Sequence, residues 1–391
     1  MTRTKIYLLT SFFIANIGEW VYFIALNLII LALTSSATSV TILYLFMPIA
    51  MLVTNSWAGS FVDRVNIKKL VIYLHLLRAI LILILVMTTH MLTIYILTFF
   101  IQIFTAIYTN AIFVYSTKVI SENEQQRFNA WRSMAQSSGF ILGPMITGLF
   151  FFIGTAHLAI VMNSIALIIA ALLLGKCPHI SETGIQQRVT FATIQADWRI
   201  VYLYAHKHLS ISFIFILNGL FIVCLTAIDS LEAAFATRTL QMSESTYGLL
   251  VSIAGIGFIA GSICNMKWLV KPLNAIFYGV LCCSVGYLCY GLAQNWWMAA
   301  LGFFILSFAN SFVSVGFMTY IQQALPAAML GRFTAIFSLL EAFTTITILL
   351  LLSIGTQIIS LRILVLLGTC LLWGLAFLYG VYYIKHRSAV Y

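Results

Sequence analysis

The sequence predicts an all-α membrane protein: twelve transmembrane helices arranged as two pseudo-symmetric six-helix halves. Three observations lead there. Of 391 residues, 62% are hydrophobic, only 8% are charged, and the apolar residues gather in runs of bilayer length. A soluble domain carries roughly 25% charged and about 45–50% apolar residues. One membrane helix uses about 20 apolar residues, so the roughly 240 present correspond to about twelve spans and leave little for a soluble domain. A soluble enzyme, a nucleic-acid-binding protein and a disordered chain are excluded by the same arithmetic. The net charge of +10 needs no nucleic-acid partner, because cytoplasmic loops of membrane proteins collect Lys and Arg. Of the seven cysteines, only Cys177 lies in a polar stretch; the others sit in apolar runs, where a thiol packs as a small hydrophobe. No Cys or His cluster has metal-ligand spacing, so neither metal nor cofactor is expected.

The first apolar run, 6–33, follows Arg3 and Lys5. It is far longer than the roughly 7–15-residue core of a signal peptide and lacks a convincing cleavage site, so it reads as a retained helix. Further runs cover 40–62, 69–88, 92–117, 130–153 and 157–175, then 209–236, 246–266, 272–293, 297–323, 333–355 and 361–384. The polar stretch 176–208 between the sixth and seventh runs divides the chain into an N-terminal half (1–175), a linker (176–208) and a C-terminal half (209–391). With the N-terminus placed inside, seventeen Lys and Arg fall in or beside inner loops; only Arg238 and Arg362 fall outside, and Arg78 lies within the third span. That asymmetry predicts both termini and the linker in the cytoplasm. A reporter fused after Tyr391 should therefore be active only on the cytoplasmic side; activity restricted to the exterior would contradict the orientation.

The halves repeat. Ala58-Gly59-Ser60 recurs as Ala260-Gly261-Ser262, 202 residues on, and Arg127-Phe128-x-Ala130 recurs as Arg332-Phe333-x-Ala335, 205 residues on. Parallel repeats of this kind build transporters whose substrate site lies between the halves.

Two strings carry further information. The loop after span two reads Gly59-Ser60-Phe61-Val62-Asp63-Arg64-Val65-Asn66-Ile67-Lys68-Lys69. Gly59 permits close helix approach, and Asp63 places an acid in an otherwise basic loop. There it can accept a charge-assisted hydrogen bond or face the positive start of another helix. Arg64, Lys68 and Lys69 hold the loop inside; the plainer alternative is a positive-inside loop with no gating role. Span five carries Gly139-x-x-x-Gly143-Pro144-x-x-Thr147-Gly148, small residues at a spacing that also serves ordinary helix packing.

The loop after span two resembles the signature of the major facilitator superfamily, with Asn66 in place of its usual Gly. The span-five string is similar to the motif on the fifth helix of that superfamily's exporters, with Ala130 and Thr147 standing where the full pattern has Gly. From Gly18-Glu19 through Asp63-Arg64 and Leu77-Arg78-Ala79 to Leu330-Gly331-Arg332, the chain resembles the macrolide-efflux branch of proton-coupled drug exporters. The resemblance implies a cytoplasmic gate at Gly59, Asp63, Arg64, Lys68 and Lys69. It also implies an exporter helix at Gly139, Gly143, Pro144 and Gly148. Where such exporters often carry an arginine in span four, this chain has Gln102.

Charges inside spans are costly and mark pathways or partners. Glu19 lies near the middle of span one. Arg78 lies nine residues beyond Lys69, about 14 Å deep at 1.5 Å per residue. Glu341 lies equally far beyond Arg332, and the 205-residue offset maps it onto Gln136. Glu19, Glu341, Arg78 and Gln136 are the expected proton-coupling or substrate residues, although Arg78 also suits a structural pairing with a carboxylate. Asp229 and Glu232 share a helix face near the outer end of span seven. With Arg238 they form either a salt bridge or part of a substrate mouth.

The expected function is secondary active export of amphiphilic small molecules, such as drugs or antibiotics, driven by protons and carried out by a monomer in the cell membrane. Export of a siderophore or another self-made metabolite, or import, are the alternatives. A lipid-directed membrane enzyme would need clustered catalytic groups at one interface. The outer loops offer only His90, His157, Arg238 and Glu244, and no nucleotide-binding loop supports an ATP-driven pump.

Overall fold

The computed structural model describes residues 3–34, 37–153, 156–179, 190–242 and 244–386. These residues are almost entirely helical. Six helices precede the linker: α1 (Arg3–Thr34), α2 (Ala37–Val62), α3 (Ile67–Val86), α4 (Met91–Val119), α5 (Glu122–Ile153) and α6 (Ala156–Gly175). The linker contributes α7 (Phe191–Lys207). Then come α8 (Leu209–Ala234), prolonged by a π-helical turn (Phe235–Thr239), α9 (Glu244–Trp268), α10 (Pro272–Gly291), α11 (Trp296–Ala324), α12 (Leu330–Ile358) and α13 (Leu361–His386).

Eleven of these helices are long and apolar enough to cross a membrane. The twelfth, α5, is 32 residues long, but its first turns carry Glu122, Glu124, Arg127 and Arg132. In lipid every backbone polar group must be satisfied within its own segment, which a helix does and an isolated strand cannot. Twelve membrane-length helices on this pattern are the expected architecture.

Two elements differ from the sequence expectation. The apolar run of span five starts at 130, whereas α5 starts at Glu122. Hydropathy marks where a helix enters lipid, and the backbone hydrogen bonds continue beyond that point into water. The linker, expected as a polar stretch, contains the 17-residue α7. Asp197 and Val201 on α7 are buried, while Tyr202 and Leu203 are exposed. Linker positions 180–189 lie outside the described residues.

The chain forms two compact units: Met1–Glu122, Ala135–Lys207 and Leu325–Ala342 in the first; Asn123–Met134, His208–Ala324 and Phe343–Tyr391 in the second. In the first, α1 lies along α6, α3 lies between α6 and α4, and α2 lies along α4. Val21, Leu26, Ile30, Ile82, Ile101 and Leu167 belong to its core. In the second, α11 packs between α10 and α9, and α13 packs between α10 and α8. Tyr290 centres its core, with ring centroids 5.0 Å from Phe235 and 4.8 Å from Phe303. Lipid is as apolar as these side chains, so van der Waals fit and interhelical hydrogen bonds hold the helices together rather than expulsion from water.

Candidate functional site

The turn joining α2 to α3 is built from its own sequence. Asn66, at the position where the family signature has Gly, caps α3: its side chain accepts from the Lys69 backbone N–H at 3.0 Å. Such caps are worth about 1 kcal/mol, and one orphan donor of the helix start is satisfied. Lys68 turns the other way, donating to the carbonyls of Gly175 (2.8 Å) and Cys177 (2.5 Å) at the end of α6, where free carbonyls and the helix dipole favour a cation. Lys69 is exposed.

Gly59 explains how α2 meets α12. A Cβ there would lie 2.6 Å from the Gly331 carbonyl oxygen and 2.8 Å from Arg332 Cα, so any side chain would push the helices apart. One helical turn on, Asp63 accepts from Arg332 Nε at 2.9 Å and sits at the first turn of α12, where the helix dipole favours an anion. Arg332 also donates from Nη1 to Asp197 of α7 at 2.8 Å. Asp197 in turn takes both arms of Arg64, at 2.5 and 2.9 Å. Trp198 completes the seat of α7 by donating its ring N–H to the Ser56 carbonyl at 2.9 Å.

The result is an alternating cluster, Asp63–Arg332–Asp197–Arg64, with the acids only 6% and 2% exposed. Its two carboxylates differ electrostatically. Burial pushes Asp63 up to about 6, against the opposing charge of Arg332. Burial acts in the same direction on Asp197. There, hydrogen bonds from Arg64 and Ser60 together with the charges of Arg332 and Arg64 outweigh it, holding the carboxyl below its usual range. The bidentate arginine makes the difference, because paired charge-assisted bonds are the strong ones.

A second pair lies inside the spans. Arg78 of α3 donates from Nη2 to Glu19 of α1 at 2.5 Å; the arginine is 2% exposed and the carboxylate 34%. The guanidinium also sits over the Tyr108 ring of α4, 5.7 Å from its centroid. Glu19 has a cation, although none is near it in sequence, because α1 and α3 both pack on α6.

Next to Glu19, the small residues of α5 make room for α1. A methyl group at Gly139 would collide with Asn16, and one at Gly143 would lie 2.5 Å from Trp20 Cβ. Pro144 and Gly148 belong to the same helix, but their surroundings lie outside the described residues. Gln136 is exposed, and Gln102 is half-buried in α4. Glu341 is half-buried in α12 and has no ion-pair partner among the described residues.

In the second unit the acids of α8 meet phenols, and the salt bridge with Arg238, one of the two readings of the sequence, is not made among the described residues. Tyr287 donates to Asp229 at 2.7 Å, and Tyr247 donates to Glu232 at 2.9 Å. Tyr290 donates to the Glu232 backbone carbonyl at 3.1 Å. Arg238 is exposed in the π-helical turn and makes no ion pair with either acid among the described residues. Nine residues past Asp229, Arg238 lies on the opposite side of a regular helix from the acids, so it does not reach them from this element.

Sequence reasoning missed Asp197. It is one of two acids, with Glu182, in a stretch that also carries Lys176, Arg188, Arg199 and Lys207, so an acid in a basic setting gives only a partial signal there. His75 was also missed. One histidine in an apolar run carries no spacing signal.

Twelve membrane helices, a charge cluster where α2, α7 and α12 meet, and an ion pair within a span define a multi-span transport protein. The chain belongs to the Major Facilitator Superfamily, whose family model matches residues 8–349. No curated protein matches the sequence. Among solved structures, it is similar to a bacterial homologue of the iron transporter ferroportin in its outward-facing state (TM-score 0.78, 14% identity, covering 99% of this chain and 100% of that one). It is also similar to the human organic anion transporter TETRAN (TM-score 0.80, 10% identity, 96% and 99% covered). A third is the proton:xylose symporter XylE bound to 6-bromo-6-deoxy-D-glucose (TM-score 0.72, 15% identity, 98% and 95% covered). At these identities the likeness is one of fold.

Proposed function

We propose that this transporter exports amphiphilic small molecules in exchange for protons, as the macrolide-efflux branch that its motifs resemble does. The observation that carries the reading is Glu19: a carboxylate within a membrane span, matched by one buried arginine and still one-third accessible. Intramembrane acids of this kind are functional by default. A group that is both paired and reachable can hold a proton in one state and release it in another. Glu341 is the second coupling residue and Gln136 its uncharged counterpart in the repeat.

Gly59, Asp63 and Arg64 form the inner gate in this reading, with Lys68 and Lys69 anchoring the loop and the two termini in the cytoplasm. The chain acts as a monomer in the cell membrane. The solved relatives' names span an iron-transporter homologue, an organic anion transporter and a sugar symporter, so cargo is argued from this chain alone. Trp20 and Phe23 beside Glu19 provide aromatic surface next to an acid. Asp229 and Glu232, partnered by neutral phenols, favour a cationic head group on that cargo.

The test is accumulation of the cationic amphiphile ethidium in an efflux-deficient bacterial strain. Expression of the protein should lower accumulation severalfold, and a protonophore should erase the difference. Equal accumulation with and without the protein, across cationic, anionic and neutral amphiphiles, would contradict the export reading.

A further inference from the structure

His75 is fully buried on α3, one turn before Arg78, and neither of its ring nitrogens has a hydrogen-bond partner. Buried polar groups are normally satisfied, and an unsatisfied one in an apolar setting is costly enough to ask why it stays. Arg78 shows the complementary deficit. Its Nη2 serves Glu19, while Nε and Nη1 donate to nothing. One ring joins the two residues: Tyr108 lies 4.2 Å from the imidazole, centroid to centroid, and 5.7 Å from the guanidinium carbon. Helical side chains lean toward the N-terminus over the preceding turn, so Arg78 inclines toward His75.

We propose that His75 is a second seat for the Arg78 guanidinium, taken up when Glu19 is neutral. This rests on the reading of Glu19 as a group that gains and loses a proton. When Glu19 is ionised, Arg78 donates to it and the imidazole nitrogen stays vacant. When Glu19 takes up a proton or engages a cationic cargo, the buried arginine loses its counter-charge. A neutral imidazole then accepts from Nε or Nη1, and the Tyr108 face continues to cover the cation. The ion pair can open without stranding a charge in the bundle. His75 is thus a positioning residue that acts through Arg78.

The groups facing this cluster are few. Glu19 and Tyr22 come from α1, Arg78 from α3 and Tyr108 from α4. From α6 come the uncharged Asn163 and Ser164, the latter donating to the Ala79 carbonyl at 2.9 Å. The only ionisable side chain of α6, His157, is at its exposed start. Asn163 Oδ1 is also a buried acceptor without a partner, but it comes from another helix, whereas the His75 imidazole offers its unused lone pair on the Arg78 helix itself, within one turn.

The test is a double-mutant cycle on the full-length protein in lipid nanodiscs, read as thermal midpoints and independent of any cargo. Glu19→Gln mimics the neutral acid and should lower the midpoint modestly, because His75 takes the arginine. His75→Phe keeps the ring and removes the lone pair; alone it should change the midpoint by less than about 1 °C, since Glu19 still holds Arg78. Together they should lower the midpoint by about 3 °C or more beyond the sum of the singles. Glu19→Gln/His75→Gln, which restores an acceptor, should recover most of that loss. Additive effects, or a double loss that glutamine does not rescue, would overturn the proposal. If the double variant does not fold, Glu19→Gln/His75→Phe/Arg78→Met decides. Recovery of a folded protein on removing the cation supports the second seat, and continued failure to fold overturns it. Failure of the export assay with an intact cycle would overturn the export reading and leave the seat standing.

Discussion

Glu19→Gln is expected to abolish uphill export driven by a pH gradient while leaving the protein folded. The side chain changes by one atom in shape and loses the charge that Arg78 contacts at 2.5 Å. Removing one partner of a buried ion pair costs about 3–5 kcal/mol when the remaining charge is stranded. The 34% exposure of Glu19, the Tyr108 ring over Arg78 and the second seat at His75 keep the charge from being stranded, so the loss falls below that range. The coupling effect is larger, because an amide cannot exchange a proton in this range. Downhill movement should persist, and uphill movement should fall to the protein-free level, at least about 100-fold if this is the principal proton site. Glu341→Gln should reduce the rate without abolishing it. Arg78→Gln placed on Glu19→Gln should restore stability and leave coupling absent, which separates a structural defect from a chemical one. Export at the parent rate by Glu19→Gln and Glu341→Gln, singly and combined, would locate coupling elsewhere.

The second large effect concerns the Asp63–Arg332–Asp197–Arg64 cluster, and its sign follows from Asp63. When α2 and α12 are engaged, burial raises this carboxyl from 3.8 to about 6. When they separate, it returns to water and its ordinary value. A group that holds its proton more tightly in the engaged state favours that state as pH falls. The stabilisation is complete below 3.8 and is lost as pH rises through about 6. Between those limits the engagement equilibrium should change by up to about 100-fold, the equivalent of two pKa units. Asp197 cannot produce this dependence, because its carboxyl is held below the usual range and remains ionised across the window. Labelling of a cysteine introduced at Ser60, packed beneath the cluster, should therefore slow as pH is lowered from 7 to 5, after correction for thiolate reactivity with a small soluble thiol. In Asp63→Asn the corrected rate should be flat with pH, and transport should be impaired at normal expression. Asp197→Asn should raise labelling at every pH, having freed Arg64 and one arm of Arg332. A flat profile in the parent protein, or unchanged transport in Asp63→Asn, would leave Asp63 as a packing contact of α12 with no part in gating.

Much of the fold was legible because lipid imposes a single requirement, a helix of sufficient apolar length, and hydropathy reads it directly. Gly59 and Asp63 were legible for a related reason: a missing side chain and an acid both stand out in a basic, bulky context. What the sequence hid is pairing. Arg78 and Glu19 are separated by 59 residues, Arg64 and Asp197 by 133, and Asp63 and Arg332 by 269. No one-dimensional pattern reports which helices pack. The tyrosine partners of Asp229 and Glu232 were hidden for a different reason. Charge counting looks for cations, and a phenol answers a carboxylate with a hydrogen bond and no charge.

The central claim is that cargo leaves as protons enter, and proton flux reports it most directly. Purified protein in liposomes loaded with a pH-sensitive dye, without an imposed gradient, is given ethidium on the side from which cargo is taken up. Inward ethidium movement should be accompanied by a change in internal pH in the opposite direction of flux, alkaline inside as protons leave, and Glu19→Gln liposomes should move ethidium with no pH change. Equal ethidium movement with no proton signal in the parent protein would contradict the exchange mechanism.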